Sequence, residues 1–154
     1  MKTPERFNRA IKALVHAFFN DTLIAIDCRA CAVGNMVAYG KGIKLQRDPD
    51  YLCAVKHADC NSWFEAVRHG DVLYSMINDK VKDDVSATGY SIEELAIIEN
   101  TFMVSVSRSN KADENYNGLM AVVKVLCKIE GLDPNDWSKY FEHTKDFKPV
   151  HVLQ

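Results

Sequence analysis

The chain has 154 residues, 47% of them hydrophobic and 26% charged, and 19 basic against 21 acidic side chains leave a net charge of -2. That length predicts one domain, 1–154, with a sizeable buried core, and the charge balance leaves no long-range field to draw in nucleic acid. No apolar run approaches the ~20 residues that cross a bilayer, and five cysteines without a secretory leader read as reduced thiols of a cytoplasmic protein.

The first predicted element is a helix with Thr3 as cap and Pro4 in its first turn, where a missing N–H costs nothing. Phe7, Ile11, Leu14, Val15 and Phe18 recur at helical spacing as its core face, and Asn20-Asp21 ends it. His16 lies beside that stripe and reads as a surface or partly buried histidine.

The stretch DCRACAVGNMVAYGKG, residues 27–42, is the most distinctive in the chain. Asp27 is a candidate cap for a helix from Cys28 to about Tyr39. Cys28 and Cys31 form a C-x-x-C pair near its start, where the helix-end dipole would ease deprotonation of a thiol. Gly34 inside the helix costs roughly 1 kcal/mol relative to alanine, which implies a close approach by another helix or a ligand. Gly40 and Gly42 release the chain. Lys41, Lys44 and Arg47 then form a small basic cluster that could meet a phosphate. With Gly34 they are the candidate ligand-binding residues for a nucleotide-like molecule, although the spacing is not that of a phosphate loop.

A short extended piece is expected at Ile43–Leu45, and Tyr51–Ala58 carries mixed signals. Cys53, His57 and Cys60 lie within one short stretch. If it faces the C-x-x-C pair, then Cys28, Cys31, His57 and Cys60 supply four ligands for a structural zinc. No β-α-β pattern precedes the pair, which argues against redox chemistry. Short helices are expected around Trp63–Val67 and Val72–Ile77. The polar run NDKVKDDVSATG, residues 78–89, reads as a loop. It has aspartates but neither the central glycine nor the terminal glutamate of a calcium loop.

Ser91 and Glu94 form a capping box for a helix carrying Leu95, Ile98, Phe102 and Val106. Helix capping and solvation account for Glu93, Glu94 and Glu99. A further helix, capped by Asp113 or Asn115, presents Leu119, Val122, Val123, Leu126 and Ile129 and closes at Gly131. Cys127 beside that stripe reads as an inert core thiol. Asp133-Pro134 starts a last helix with Trp137, Tyr140 and Phe141 on one side. The sequence has no GxGxxG, GxxxxGK[ST] or HExxH motif and no nucleophile elbow, so no catalytic residue is assigned.

The strings CRACAVGNMVAYG, TGYSIEELAIIENTF and GLMAVVKVLCKIEGL resemble a group of small helical proteins from Bacteroidetes-type bacteria and their phages. The resemblance spans about residues 10–132. Some of that group are labelled as the flavin subunit of a sodium-pumping quinone reductase. This chain lacks the four-cysteine spacing and the flavin and nicotinamide motifs that such chemistry requires. What the resemblance implies is an accessory, structural or host-interaction role.

The expected fold is a mainly α domain of about six helices, with short extended pieces near residues 43–53 and 149–153. The expected role is a non-enzymatic interaction or structural protein that binds a protein partner or itself as a homo-oligomer. Small-ligand binding and a zinc-stabilised domain are the alternatives.

Overall fold

The computed structural model describes residues 3–24, 30–43, 45–47, 55–56, 67, 78–110, 113–136 and 139. These carry five helices: α1 (Glu5–Phe19), α2 (Ala32–Gly40), α3 (Asp79–Thr88), α4 (Ile92–Ser107) and α5 (Glu114–Ile129). A two-stranded antiparallel pair, β1 (Gln46–Arg47) and β2 (Val55–Lys56), aligns Gln46 with Lys56 and Arg47 with Val55. The protein is mainly helical, as expected. The predicted pieces at 57–66, 68–77 and 149–153 lie outside the described residues, as do Trp137, Tyr140 and Phe141.

α1 is strongly one-sided. Phe7, Ala10, Ile11, Leu14 and Val15 are buried along one stripe. Pro4, rather than Thr3, holds the cap position, and the Thr3 hydroxyl donates to the Asn8 side chain instead. The helix closes through Asp21 at φ 57°, with the Thr22 N–H donating to the Ala17 carbonyl at 2.9 Å.

α4 and α5 make the most extensive helix pair, while α1 packs on α2 and α5 and α2 reaches α3 and α4. One hydrophobic cluster joins them, with Phe7, Leu14, Val33, Leu95, Phe102 and Leu126 at its centre. The capping box at Ser91 forms as expected: the Glu94 N–H donates to the Ser91 hydroxyl at 3.2 Å and the Ser91 N–H to Glu94 Oε1 at 2.9 Å. α5 closes at Gly131, also as expected, in the left-handed conformation with φ 71°. Beyond it, Asp133 caps a 3₁₀ turn at 134–136 through the Asn135 N–H.

Residues 78–89 are not a loop. They form α3, because polar residues supply a helical stripe. The Asn78 side chain caps the helix by accepting from the Val81 N–H, and Val81, Asp84 and Thr88 are buried on one side. Gly89 ends it with φ 79°. Asp84 is tolerated inside because Lys41 Nζ lies 2.5 Å from its Oδ1. Next to this pair, a Cβ on Gly40 would overlap the Ala87 backbone carbonyl. Gly40 therefore serves as the contact point between α2 and α3, as well as the last residue of its helix.

Arg6 ties three parts of the chain together. Its guanidinium makes two hydrogen bonds to Glu94, at 3.1 and 3.3 Å, and lies 2.6 Å from Glu130 Oε1. It also donates to the Gly89 carbonyl and stacks 4.2 Å from the centre of the buried Tyr90 ring. The start of α1 is thereby fastened to the α3–α4 turn and to the end of α5.

Candidate functional site

α2 begins at Ala32, four residues later than the sequence suggests, with Cys31 rather than Asp27 at the cap. The Cys31 sulfur accepts from the Gly34 N–H at 3.3 Å. Asn35, one turn into the helix, sets this geometry. Its buried side-chain amide donates to the carbonyls of Thr22, Ala30 and Cys31 at 2.9, 2.8 and 3.1 Å. The Ile24 N–H also donates to the Ala30 carbonyl. One amide thus fastens both sides of the α1–α2 connection to the helix it leads into. Alanine at position 35 strips three carbonyls of that donor, and the expected cost is about 1–3 kcal/mol, read as a lower urea midpoint.

Across from this helix start sits Glu99 of α4, only 5% exposed. Its Oε2 accepts from the Val33 N–H at 3.3 Å and its side chain also pairs with Cys31, while Oε1 is buried without a partner among the described residues. Burial raises the Glu99 pKa against the lowering effects of Cys31 and Val33. The Cys31 thiol is pushed well up, first by burial and then by the Glu99 charge, which outweigh the Gly34 and Val33 N–H groups. Cys31 is therefore held as a thiol, opposite to the easier deprotonation that its helix-end position suggests. A buried thiol beside a carboxylate is a poor nucleophile.

The sign of the pH effect follows from Glu99. A carboxyl group whose folded pKa lies above its unfolded value makes the unfolded state release its proton first. Its penalty is absent below the unfolded value and grows as pH rises through the folded value. Glu99→Gln keeps an oxygen for the Val33 N–H and removes the titration. Its stability should therefore not share this decline as pH rises above the ordinary carboxylate range, as read from denaturant midpoints over a pH series.

A cavity of about 260 Å³ opens between α1, α2 and the chain leaving α2. His16, Thr22, Asn35 and Tyr39 supply its polar edge, with Ile43 and Leu45 on the apolar side. This places His16, exposed on α1, at a site not anticipated from its sequence context.

Of the candidate ligand-binding residues, Gly34 is buried in the first turn of α2, and Lys41 is engaged by Asp84 on the α3 side. Neither lines the cavity. Lys44 and the side chain of Arg47 lie outside the described residues. Of the candidate zinc ligands, Cys28, His57 and Cys60 also lie outside them, leaving Cys31 alone in view. Among the described residues no three His, Cys, Asp or Glu side chains are grouped to hold a metal.

No family model, curated protein or solved structure matches the chain. Two features escape a local reading of the sequence. Glu99 reads there as solvated, yet it lies four residues after Leu95 and three before Phe102, in phase with the buried stripe. The second is the apolar exposure on α4, where Ile97 and Val104 on the outer face are 52% and 37% exposed and Met103 on the flank is 41% exposed. Among the described residues no helix is long and apolar enough to cross a membrane.

Proposed function

We propose that the protein is a non-enzymatic interaction module that works as a homo-oligomer in the cytoplasm, in an accessory role within a bacterial or phage system. The observation that carries this reading is the outer face of α4. The helix buries Leu95, Ile98 and Phe102 on one side and exposes Ile97 and Val104 on the other, with Met103 exposed on its flank. A surface helix normally turns a polar face to water, so large apolar side chains set among Glu93, Asn100 and Arg108 on the exposed side mark a contact patch. The deep-lying Cys31–Glu99 pair supplies no accessible nucleophile or base, which also favours binding over catalysis. Sedimentation equilibrium of the purified chain tests the reading. A concentration-dependent oligomer is expected, and a monomer up to hundreds of micromolar would remove its main support.

The cavity between α1 and α2 favours a second reading, small-ligand binding. At about 260 Å³ it lies just below the range of ligand pockets and would suit a compact, partly polar molecule. Native mass spectrometry of the freshly purified protein distinguishes the two readings. A co-purified small molecule lost on Asn35→Ala or Tyr39→Ala supports the ligand reading, and its absence leaves the interaction reading in place. A zinc-supported fold through Cys28, Cys31, His57 and Cys60 predicts stoichiometric zinc by elemental analysis.

A further inference from the structure

We infer that α4 is the seam of a two-fold symmetric dimer, packed antiparallel against α4 of a second copy of this chain. The inference rests on the self-association reading above and specifies its geometry. At 100° per residue, Glu93, Ile97, Asn100 and Val104 fall on the outward strip of α4, opposite the buried Leu95, Ile98 and Phe102, and Arg108 at its C-terminal cap continues the strip. All five strip residues are exposed. Their order is self-complementary. With a two-fold axis between positions 100 and 101, Ile97 meets the partner's Val104 and Glu93 meets the partner's Arg108.

Three features of the strip fit a second copy better than an unrelated partner. Ile97 and Val104 are seven residues apart with Asn100 between them, the spacing of a helix–helix seam. Asn100 falls at the axis, where two copies of its amide can hydrogen-bond to each other; a single polar residue at such a position fixes register. The charges at the two ends have opposite sign, so an antiparallel copy satisfies both while a parallel copy sets like against like. An isologous interface requires this self-complementarity.

The test is charge reversal on the full chain at low ionic strength, read by sedimentation equilibrium. Glu93→Arg and Arg108→Glu each turn two symmetry-related attractions into repulsions, and each should weaken dimerisation about ten-fold. Combining both reversals in one chain restores the complementarity, and the dimer should return to within about two-fold of the wild type. Both reversals oppose the helix dipole, so thermal melts are recorded alongside. A purely structural effect makes the double variant the weakest of the set, whereas the proposed pairing makes it recover. A dimer indifferent to the reversals, or a double variant weaker than either single one, overturns the antiparallel pairing and leaves self-association standing. A wild-type monomer at hundreds of micromolar overturns both.

Discussion

Phe102→Ala is expected to lower the unfolding free energy by about 3–5 kcal/mol, the usual range for emptying an aromatic site in a packed core. Phe102 is fully buried in the α4–α5 interface, the most extensive helix contact in the fold. What makes its ring so closely held is Gly118 on α5. A Cβ there would stand 2.7 and 2.9 Å from two ring carbons of Phe102 and 2.9 Å from a Val106 methyl. Gly118→Ala should gain up to about 1 kcal/mol of helix propensity and lose more through overpacking, which typically costs about 1–3 kcal/mol. The two sites are therefore coupled. In a Phe102→Leu background the ring carbons are gone, and the Gly118→Ala penalty should shrink by at least about 0.5 kcal/mol. Urea midpoints for the four proteins of this cycle measure it. Strict additivity would show that the ring is not the obstacle at position 118.

Arg6→Ala is the second large effect, expected to cost about 2–3 kcal/mol. Removing one partner of a buried ion pair costs about 3–5 kcal/mol, and the Arg6 side chain is 30% exposed, so solvent screening takes part of that away. The larger share comes from Glu130, whose side chain is only 6% exposed and loses a partner at 2.6 Å. Arg6→Lys should recover only part of the loss, because an ammonium cannot present the planar fork that reaches Glu94 and Glu130 together.

The same variant should alter the response to acid. Burial alone would raise the Glu94 pKa, but the Ser91 N–H and the Arg6 guanidinium outweigh it and hold the group below its ordinary value. A carboxylate with a lowered folded pKa contributes stability that is complete above its unfolded value and is lost as pH falls through its folded value. Without Arg6 that acid-side loss should be shallower, with the Ser91 contribution remaining. Denaturant midpoints on the acid side of neutrality report the difference between the two proteins. Identical slopes would place the lowering entirely in the capping box.

The proposed α4 seam would give the cluster at Arg6 a further significance. Glu93 and Glu94 are neighbours in the first turn of α4 but serve different purposes. Glu94 caps its own helix and holds Arg6, while Glu93 is exposed and available to a second copy. The helix is thereby fixed firmly in the body that presents it, which reduces the ordering cost of association.

Helix type and phase were legible wherever local chemistry and apolar periodicity agreed. α1, α4 and α5 follow their stripes, the Ser91–Glu94 box starts α4, and Gly131 closes α5. The candidate site was less legible. Cys31 reads from sequence as a thiol made acidic by a helix end, and only the tertiary structure reverses that sign, first by burying the thiol and then by bringing Glu99, 68 positions away in the chain, beside it. Glu99 itself carries a readable signal, an acidic residue in phase with a buried stripe, which capping and solvation do not explain.

The run at 78–89 shows where local reading ends. Its aspartates and lysines look solvated, and by composition they form a loop. Yet Asp84 is buried because Lys41, at the C-terminal cap of α2, neutralises it, and the backbone comes close because Gly40 has no side chain to prevent it. By itself the sequence determines those features set by hydrogen bonds and side-chain spacing within a few residues: caps, glycine stops and the apolar stripes of α1, α4 and α5. Only the tertiary structure decides which polar groups become buried and which apolar face remains outside. Those outcomes depend on partners far away in sequence, and the desolvation of a charge is settled by the neighbour that arrives to meet it.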